Sequence, residues 1–180
     1  GGDTTEDIAE WGSQEGEAFG SSVAGGFDYN GDGAGDWAVG SPDFDVDGME
    51  DAGRVQLYLG GGVQGGADAV LNGEQAESRL GVAVASAGDF TGDGLDDILV
   101  GAPQYDRDLQ SNVGRVYLLA GVASGAPTVA LTFTADVSTS RLGTSVTGLG
   151  DYNGDGAADI ALGAPGLDTD SGTDRGAVYV

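Results

Sequence analysis

Three short stretches of the 180-residue chain repeat one arrangement of oxygen-bearing residues. They read Asp28-Tyr29-Asn30-Gly31-Asp32-Gly33-Ala34-Gly35-Asp36, Asp89-Phe90-Thr91-Gly92-Asp93-Gly94-Leu95-Asp96-Asp97 and Asp151-Tyr152-Asn153-Gly154-Asp155-Gly156-Ala157-Ala158-Asp159. Side-chain oxygens at positions 1, 3, 5 and 9, a glycine at 6 for the sharp turn and a main-chain carbonyl at 7 are how a loop wraps a hard cation. Three calcium sites are therefore expected. Their ligands are Asp28, Asn30, Asp32, Ala34 and Asp36; Asp89, Thr91, Asp93, Leu95 and Asp97; and Asp151, Asn153, Asp155, Ala157 and Asp159, with Ala34, Leu95 and Ala157 acting through their carbonyls. The bidentate Glu that closes an EF-hand at position 12 is replaced by Val39, Val100 or Leu162, so these are strand-loop-strand sites. Asp-Gly stretches are also good turns in their own right. Three copies, each holding three carboxylates without a counter-ion, favour the metal reading over the plain turn. Thr91 stands where the other loops have Asn, which predicts a weaker middle site, and Asp96 is expected to face solvent.

Other chemistry is sparse. The chain has no His, Cys or Lys, so nucleophile–imidazole pairs, thiolate or imidazole zinc sites and Schiff bases are excluded. A carboxylate pair for polysaccharide cleavage is the rival enzyme reading, but the acidic residues are committed to repeated loops and no enzyme is expected. With 30 acidic residues against 6 arginines, a formal charge of -24 repels nucleic acid. No apolar run reaches the eighteen or so residues of a membrane helix, so membrane insertion is not expected. Asp43, Asp45, Asp47 and Asp51 match the nine-residue pattern once more and form a candidate fourth site. The alternative is a solvated loop. Arg79 and Arg141, and Arg54 and Arg115, hold equivalent positions and are expected to bridge carboxylates, while the Tyr and Trp residues pack between modules.

The elements that position these loops recur with them. The loops lie 61 and 62 residues apart, as do Gly53, Gly114 and Gly176. Each copy also carries an aromatic or leucine before glycine (Phe19-Gly20, Leu80-Gly81, Leu142-Gly143) and a Gly-Ser/Ala-Pro (Gly40, Gly101, Gly163 onward). Glycine fills 36 positions and proline 4, which points to tight turns between short segments and excludes a long-helix protein. Small and β-branched runs at 21–24, 82–85 and 144–147 read as innermost strands, crowded on both faces. Second strands follow the loops (37–39, 98–100, 160–162), then third strands (55–59, 116–119, 178–180). A fourth lies at 69–71 and 129–133, with a counterpart at Ile8–Trp11. The fold class is all-β: three four-stranded propeller blades, in repeats of about 7–66, 67–127 and 128–180 within one region spanning 1–180.

This combination of Phe/Leu-Gly, acidic nine-residue loop and Gly-Ala/Ser-Pro resembles the FG-GAP repeat of integrin alpha subunits and of bacterial extracellular proteins. The resemblance implies a calcium-binding extracellular or cell-surface propeller for adhesion or for binding protein or glycan, with calcium loops on one rim and ligand-facing loops on the other. Loops 43–52, 104–113 and 166–175 are then the candidate binding surface, where Phe44 and Tyr105 either contact a ligand or pack underneath. The alternative is a structural repeat without a ligand. Propellers have about four to eight blades, so three modules do not close a ring. The expectation is a piece of a longer propeller or a homodimer making a six-bladed ring, in which Ile8–Trp11 of one chain supplies the last blade of the other.

Overall fold

A computed structural model describes residues 9–61, 66–124, 126–168 and 175–180. It is all-β, with eleven strands in three antiparallel meanders. Sheet 1 holds β1 (Ser22–Phe27), β2 (Asp36–Ser41), β3 (Arg54–Tyr58) and β4 (Ala69–Asn72). Sheet 2 holds β5 (Ala83–Gly88), β6 (Asp97–Ala102), β7 (Arg115–Ala120) and β8 (Thr128–Thr134). Sheet 3 holds β9 (Ser145–Gly150), β10 (Asp159–Ala164) and β11 (Ala177–Tyr179). These are propeller blades in the expected strand order. No strand forms at residues 9–12, where Trp11 is 81% exposed; Ile8, the start of the expected counterpart strand, lies outside the described residues.

Side chains that alternate along each strand fill two seams. Ile98, Val100, Tyr117 and Leu119 of sheet 2 meet Ala38, Val55 and Leu57 of sheet 1. Leu99, Val116 and Leu118, from the opposite face of sheet 2, meet Ile160, Leu162 and Ala164 of sheet 3. Sheet 2 is thus sandwiched, and every residue of β6 is buried. The first strand of sheet 2 is crowded on both faces as expected, β5 packing against β1 and against β9, whereas among the described residues sheets 1 and 3 each have one outer face, so that Val23 is 61% exposed and β9 is largely exposed. Each first strand is also the edge strand of its sheet.

The seams close where backbone meets backbone. The Gly20, Gly81 and Gly143 N–H groups donate to the carbonyls of Gly40, Gly101 and Gly163 within their own sheets, at 3.1, 2.9 and 3.0 Å. The Gly81 carbonyl oxygen lies against Gly40 of the preceding sheet, 2.0 Å from where a Cβ there would stand; Gly143 stands against Gly101 at the same 2.0 Å. Ser22 Oγ adds a hydrogen bond to the Gly81 carbonyl at 2.7 Å. The two glycine motifs are therefore the two sides of one contact.

Aromatic packing departs from the expectation. Trp37 and Tyr58 stack at 4.1 Å as cross-strand partners within sheet 1 rather than between blades. The Arg54 guanidinium lies 3.5 Å over the Phe44 ring, and Arg115 lies 3.6 Å over Tyr105. In the third repeat both members change together, to Ala177 and Leu167. There the seam opens into a cavity of ≈ 510 Å³ lined by Phe133, Leu142, Leu162, Leu167 and Tyr179 among others.

Replacing Gly101 by Ala is expected to cost about 2–3 kcal/mol, because the methyl meets a main-chain oxygen that cannot move without parting sheets 2 and 3. Thermal unfolding is expected roughly 4–10 °C lower, and an unchanged midpoint would show that the seam gives way.

Candidate metal centre

Each acidic loop joins the first strand of a sheet to the second, and the antiparallel meander puts the connections from second to third strand at the opposite end. The main chain turns at position 6 with φ of 84, 90 and 92° at Gly33, Gly94 and Gly156, a region costly for residues with a Cβ. Position 1 organises the turn. Asp28 Oδ1 and Oδ2 accept the N–H groups of Asp32 and Gly33, both at 3.0 Å. Asp89 accepts those of Asp93 and Gly94 at 2.9 and 3.0 Å, and Asp151 those of Asp155 and Gly156 at 3.0 Å each. Position 5 accepts the N–H of position 7: Asp32 from Ala34 at 2.7 Å, Asp93 from Leu95 at 2.9 Å and Asp155 from Ala157 at 2.9 Å. Asn30 and Asn153 accept the N–H of position 5 at 2.9 and 2.8 Å. Thr91 instead directs its hydroxyl at Asp97 Oδ1, 3.5 Å away.

Position 9 has a second duty. Asp36, 1% exposed, accepts the Tyr29 N–H at 2.8 Å and the Gly60 N–H at 2.7 Å, joining its loop to the residue beyond the third strand. Asp97, fully buried, does the same for Thr91 N–H at 2.7 Å and Gly121 N–H at 2.9 Å. Asp159 accepts the Tyr152 and Asn153 N–H groups at 2.8 and 3.2 Å. Each carboxylate oxygen keeps lone-pair capacity beyond the bonds it accepts.

Burial raises the Asp97 carboxyl above its ordinary value against the Gly121 and Thr91 hydrogen bonds, and the Asp93 charge raises it further. Asp32 and Asp155 shift the other way, held low by the N–H groups of Ala34 and Ala157 and by Asn30 and Asn153. A carboxyl raised on folding favours the folded state below its unfolded value near 3.8, and that contribution is lost as pH rises through the folded value. Ionised Asp97 therefore opposes folding at neutral pH. Asp32 and Asp155 favour folding above their unfolded value, a contribution lost as pH falls through their folded ones. Tyr29, the buried second residue of loop 1, is pushed up to about 12 by burial and then by the Asp97 charge.

The donor set fits a hard cation: carboxylates, amide and hydroxyl oxygens and a main-chain carbonyl, with no cationic side chain in any of the three loops. As placed, no three acidic side chains among the described residues converge into one metal-holding group. Each loop is thus folded around its own N–H groups, which occupy some of the oxygens.

The candidate fourth site is not built this way. Asp43 pairs with Arg79. Asp45 Oδ1 accepts the Asp51 N–H at 3.0 Å, as Asp106 Oδ1 accepts the Asn112 N–H at 2.6 Å in the second connection, whose sequence lacks the calcium pattern. Both connections form the same small hairpin, Val46 bridging Met49 and Arg107 bridging Gln110, with Asp47 and Asp108 at φ of 50 and 56°. The fourth match is scaffold, and Phe44 and Tyr105 pack beneath the arginines. Arg115 bridges Glu74, as expected; Arg54 instead donates to Asn72 Oδ1 at 2.8 Å. Much of the third connection, residues 169–174, lies outside the described residues.

Asp96 was expected in solvent, but its carboxylate accepts the Asp28 N–H of loop 1 at 2.8 Å. Position 8 of the other loops is Gly35 or Ala158, so the only sequence signal was one unmatched acid.

Comparison with known proteins places the second and third repeats: the FG-GAP repeat model matches residues 80–119 and 142–180. Sheet 1 precedes these spans and has the same strand order as sheet 2. Integrin alpha-PS2 of Drosophila melanogaster is 41% identical over 120 residues, 61% of this chain and 8% of that protein. Phosphatidylinositol-glycan-specific phospholipase D of Homo sapiens is 40% identical over 111 residues, 57% of this chain and 13% of that protein. Integrin alpha-5 of Xenopus laevis is 40% identical over 114 residues, 61% and 10% respectively. The chain spans about a tenth of the length of the curated relatives it matches.

Asp36→Ala is expected to strand the Tyr29 and Gly60 N–H groups and cost about 2–4 kcal/mol even with chelator present. Asp32→Ala, in the exposed part of the same loop, is expected to leave the urea midpoint in chelator nearly unchanged. Equal losses would mean that position 9 has no separate structural role.

Proposed function

Because its second and third repeats are FG-GAP repeats, we propose that the chain is a calcium-binding extracellular propeller segment that serves adhesion or the binding of protein or glycan and carries no catalytic centre of its own. The observation that carries the metal reading is the threefold recurrence of one loop. Nine carboxylates stand at equivalent positions with no cationic side chain in their loops, and two of them, Asp36 and Asp97, are buried. A bound dication would offset their charge. Asp28, Asn30, Asp32, Asp36 and the Ala34 carbonyl would hold it in loop 1, with Asp89, Thr91, Asp93, Asp97 and Leu95, and Asp151, Asn153, Asp155, Asp159 and Ala157, in the others. Its chemistry there is cohesive: it draws the oxygens of one loop together and secures the first strand of each sheet to the second.

The surface offered to a ligand is the opposite rim, where the connections from second to third strand lie. Leu109, at the tip of the second connection, is fully exposed. Among the described residues no helix is long and apolar enough to cross a membrane. Further blades complete the ring, from a second copy of this chain or from the rest of a longer one. For the isolated 180-residue chain the dimer is expected, and light scattering at micromolar concentration checks it against the 17.8 kDa monomer.

Calcium at about 10 mM, acting on loops with Kd near 1 mM, is expected to stabilise the fold by about 1.4 kcal/mol per loop. Three loops give about 4 kcal/mol, a melting temperature higher by roughly 10 °C than in chelator. Identical melting in both conditions would remove the metal assignment.

A further inference from the structure

Loops 1 and 2 meet across the seam between sheets 1 and 2. Asp96 Oδ2 accepts the Asp28 N–H at 2.8 Å, and the Asp96 N–H donates to the Asp28 carbonyl at 3.2 Å. Both residues sit at the working end of their loops. Asp28 is position 1, whose carboxylate gathers the Asp32 and Gly33 N–H groups. Asp96 lies between Leu95, whose carbonyl is position 7, and Asp97, position 9. The loops touch again at Gly31, where a Cβ would stand 2.6 Å from Leu95 Cδ2, and the Val122 N–H donates to the Tyr29 carbonyl at 3.0 Å. Loops 2 and 3 have no such tie. Ala158 holds the position of Asp96, its methyl 3.7 Å from where a Cβ on Gly88 would stand, and among the described residues no hydrogen bond joins these two loops.

We propose that Asp96 is a positioning residue that couples the first two loops, so that an ion in one raises the calcium affinity of the other, while the third loop binds independently. The inference rests on the calcium reading above. An ion bound by Asp28 and Asp32 fixes the main chain of residue 28, and through the paired hydrogen bonds that fixes residues 95–97, which carry two ligand positions of loop 2. The ordering cost met at the first site is then not met again at the second, which is positive cooperativity without a large change of shape. Linkage makes the effect reciprocal.

Calcium titration of the ¹⁵N-labelled chain, read at the amides of Gly33, Gly94 and Gly156, resolves the three loops in one sample. Asp32→Ala is expected to raise the Gly94 midpoint about five-fold or more and to leave that of Gly156 in place, which also shows that the protein is folded. In the Asp96→Ala background the same change is expected to move Gly94 by less than about two-fold. Gly35 and Ala158 show that a small residue suits this position. Asp96→Asn, which keeps an acceptor for the Asp28 N–H, is expected to retain the coupling, and its loss there overturns the hydrogen-bonded route. A Gly94 midpoint unmoved by Asp32→Ala overturns the coupling while leaving calcium binding intact. Coupling that survives Asp96→Ala overturns the role of Asp96. No calcium-dependent shift at any of the three amides overturns both the coupling and the calcium reading.

Discussion

The contact on which the rest of the molecule depends is a main-chain oxygen seated on a glycine Cα. Gly81 against Gly40 and Gly143 against Gly101 bring consecutive sheets closer than any side chain would permit. Glycine at each site costs conformational freedom, and the return is a short, stiff junction that sets the spacing of the sheets. With that spacing set, Ile98 and Val100 reach Val55 and Leu57, and Leu99 reaches Leu162, so sheet 2 loses solvent from both faces. Burial of this kind contributes about 25 cal/mol per Å² of apolar surface, which no single meander could collect alone.

The same spacing decides what the acidic loops can do. The loops stand at one end of the sheets, and the glycine junction places loop 1 beside loop 2. Within a loop the carboxylates share two tasks. Those at positions 1 and 5 shape the turn by accepting nearby N–H groups at the surface. Those at position 9 in sheets 1 and 2 are buried and hold the loop to the end of the third strand through Gly60 and Gly121. Position 9 thus links a prospective ion to the blade itself, so ion binding and blade stability share one side chain.

The rim opposite the loops is organised by different means. Arginines over Phe44 and Tyr105, with Asp45 and Asp106 accepting N–H groups inside their own connections, keep the first two hairpins in a common shape. The third repeat gives up the pair at Leu167 and Ala177, and with it a filled seam. That rim tolerates such change because its connections are surface hairpins rather than members of the stack.

The repeat, the order of strands within each sheet and the turns of the three acidic loops were legible in the sequence alone. All of these are local and periodic: alternation of side chains, a glycine at a turn, acids at fixed offsets. Folding decided what lies between repeats. Asp96 finds Asp28 across 68 positions. The four-aspartate match at 43–51 takes the same hairpin as the second connection, with Arg79 on Asp43. Trp37 turns to Tyr58 within its own sheet. Val23 is left exposed because, among the described residues, sheet 1 packs against a neighbouring sheet on one face only. Spacing inside one repeat carries no record of which neighbouring side chain will arrive beside it; only the packing of one sheet on the next supplies that partner.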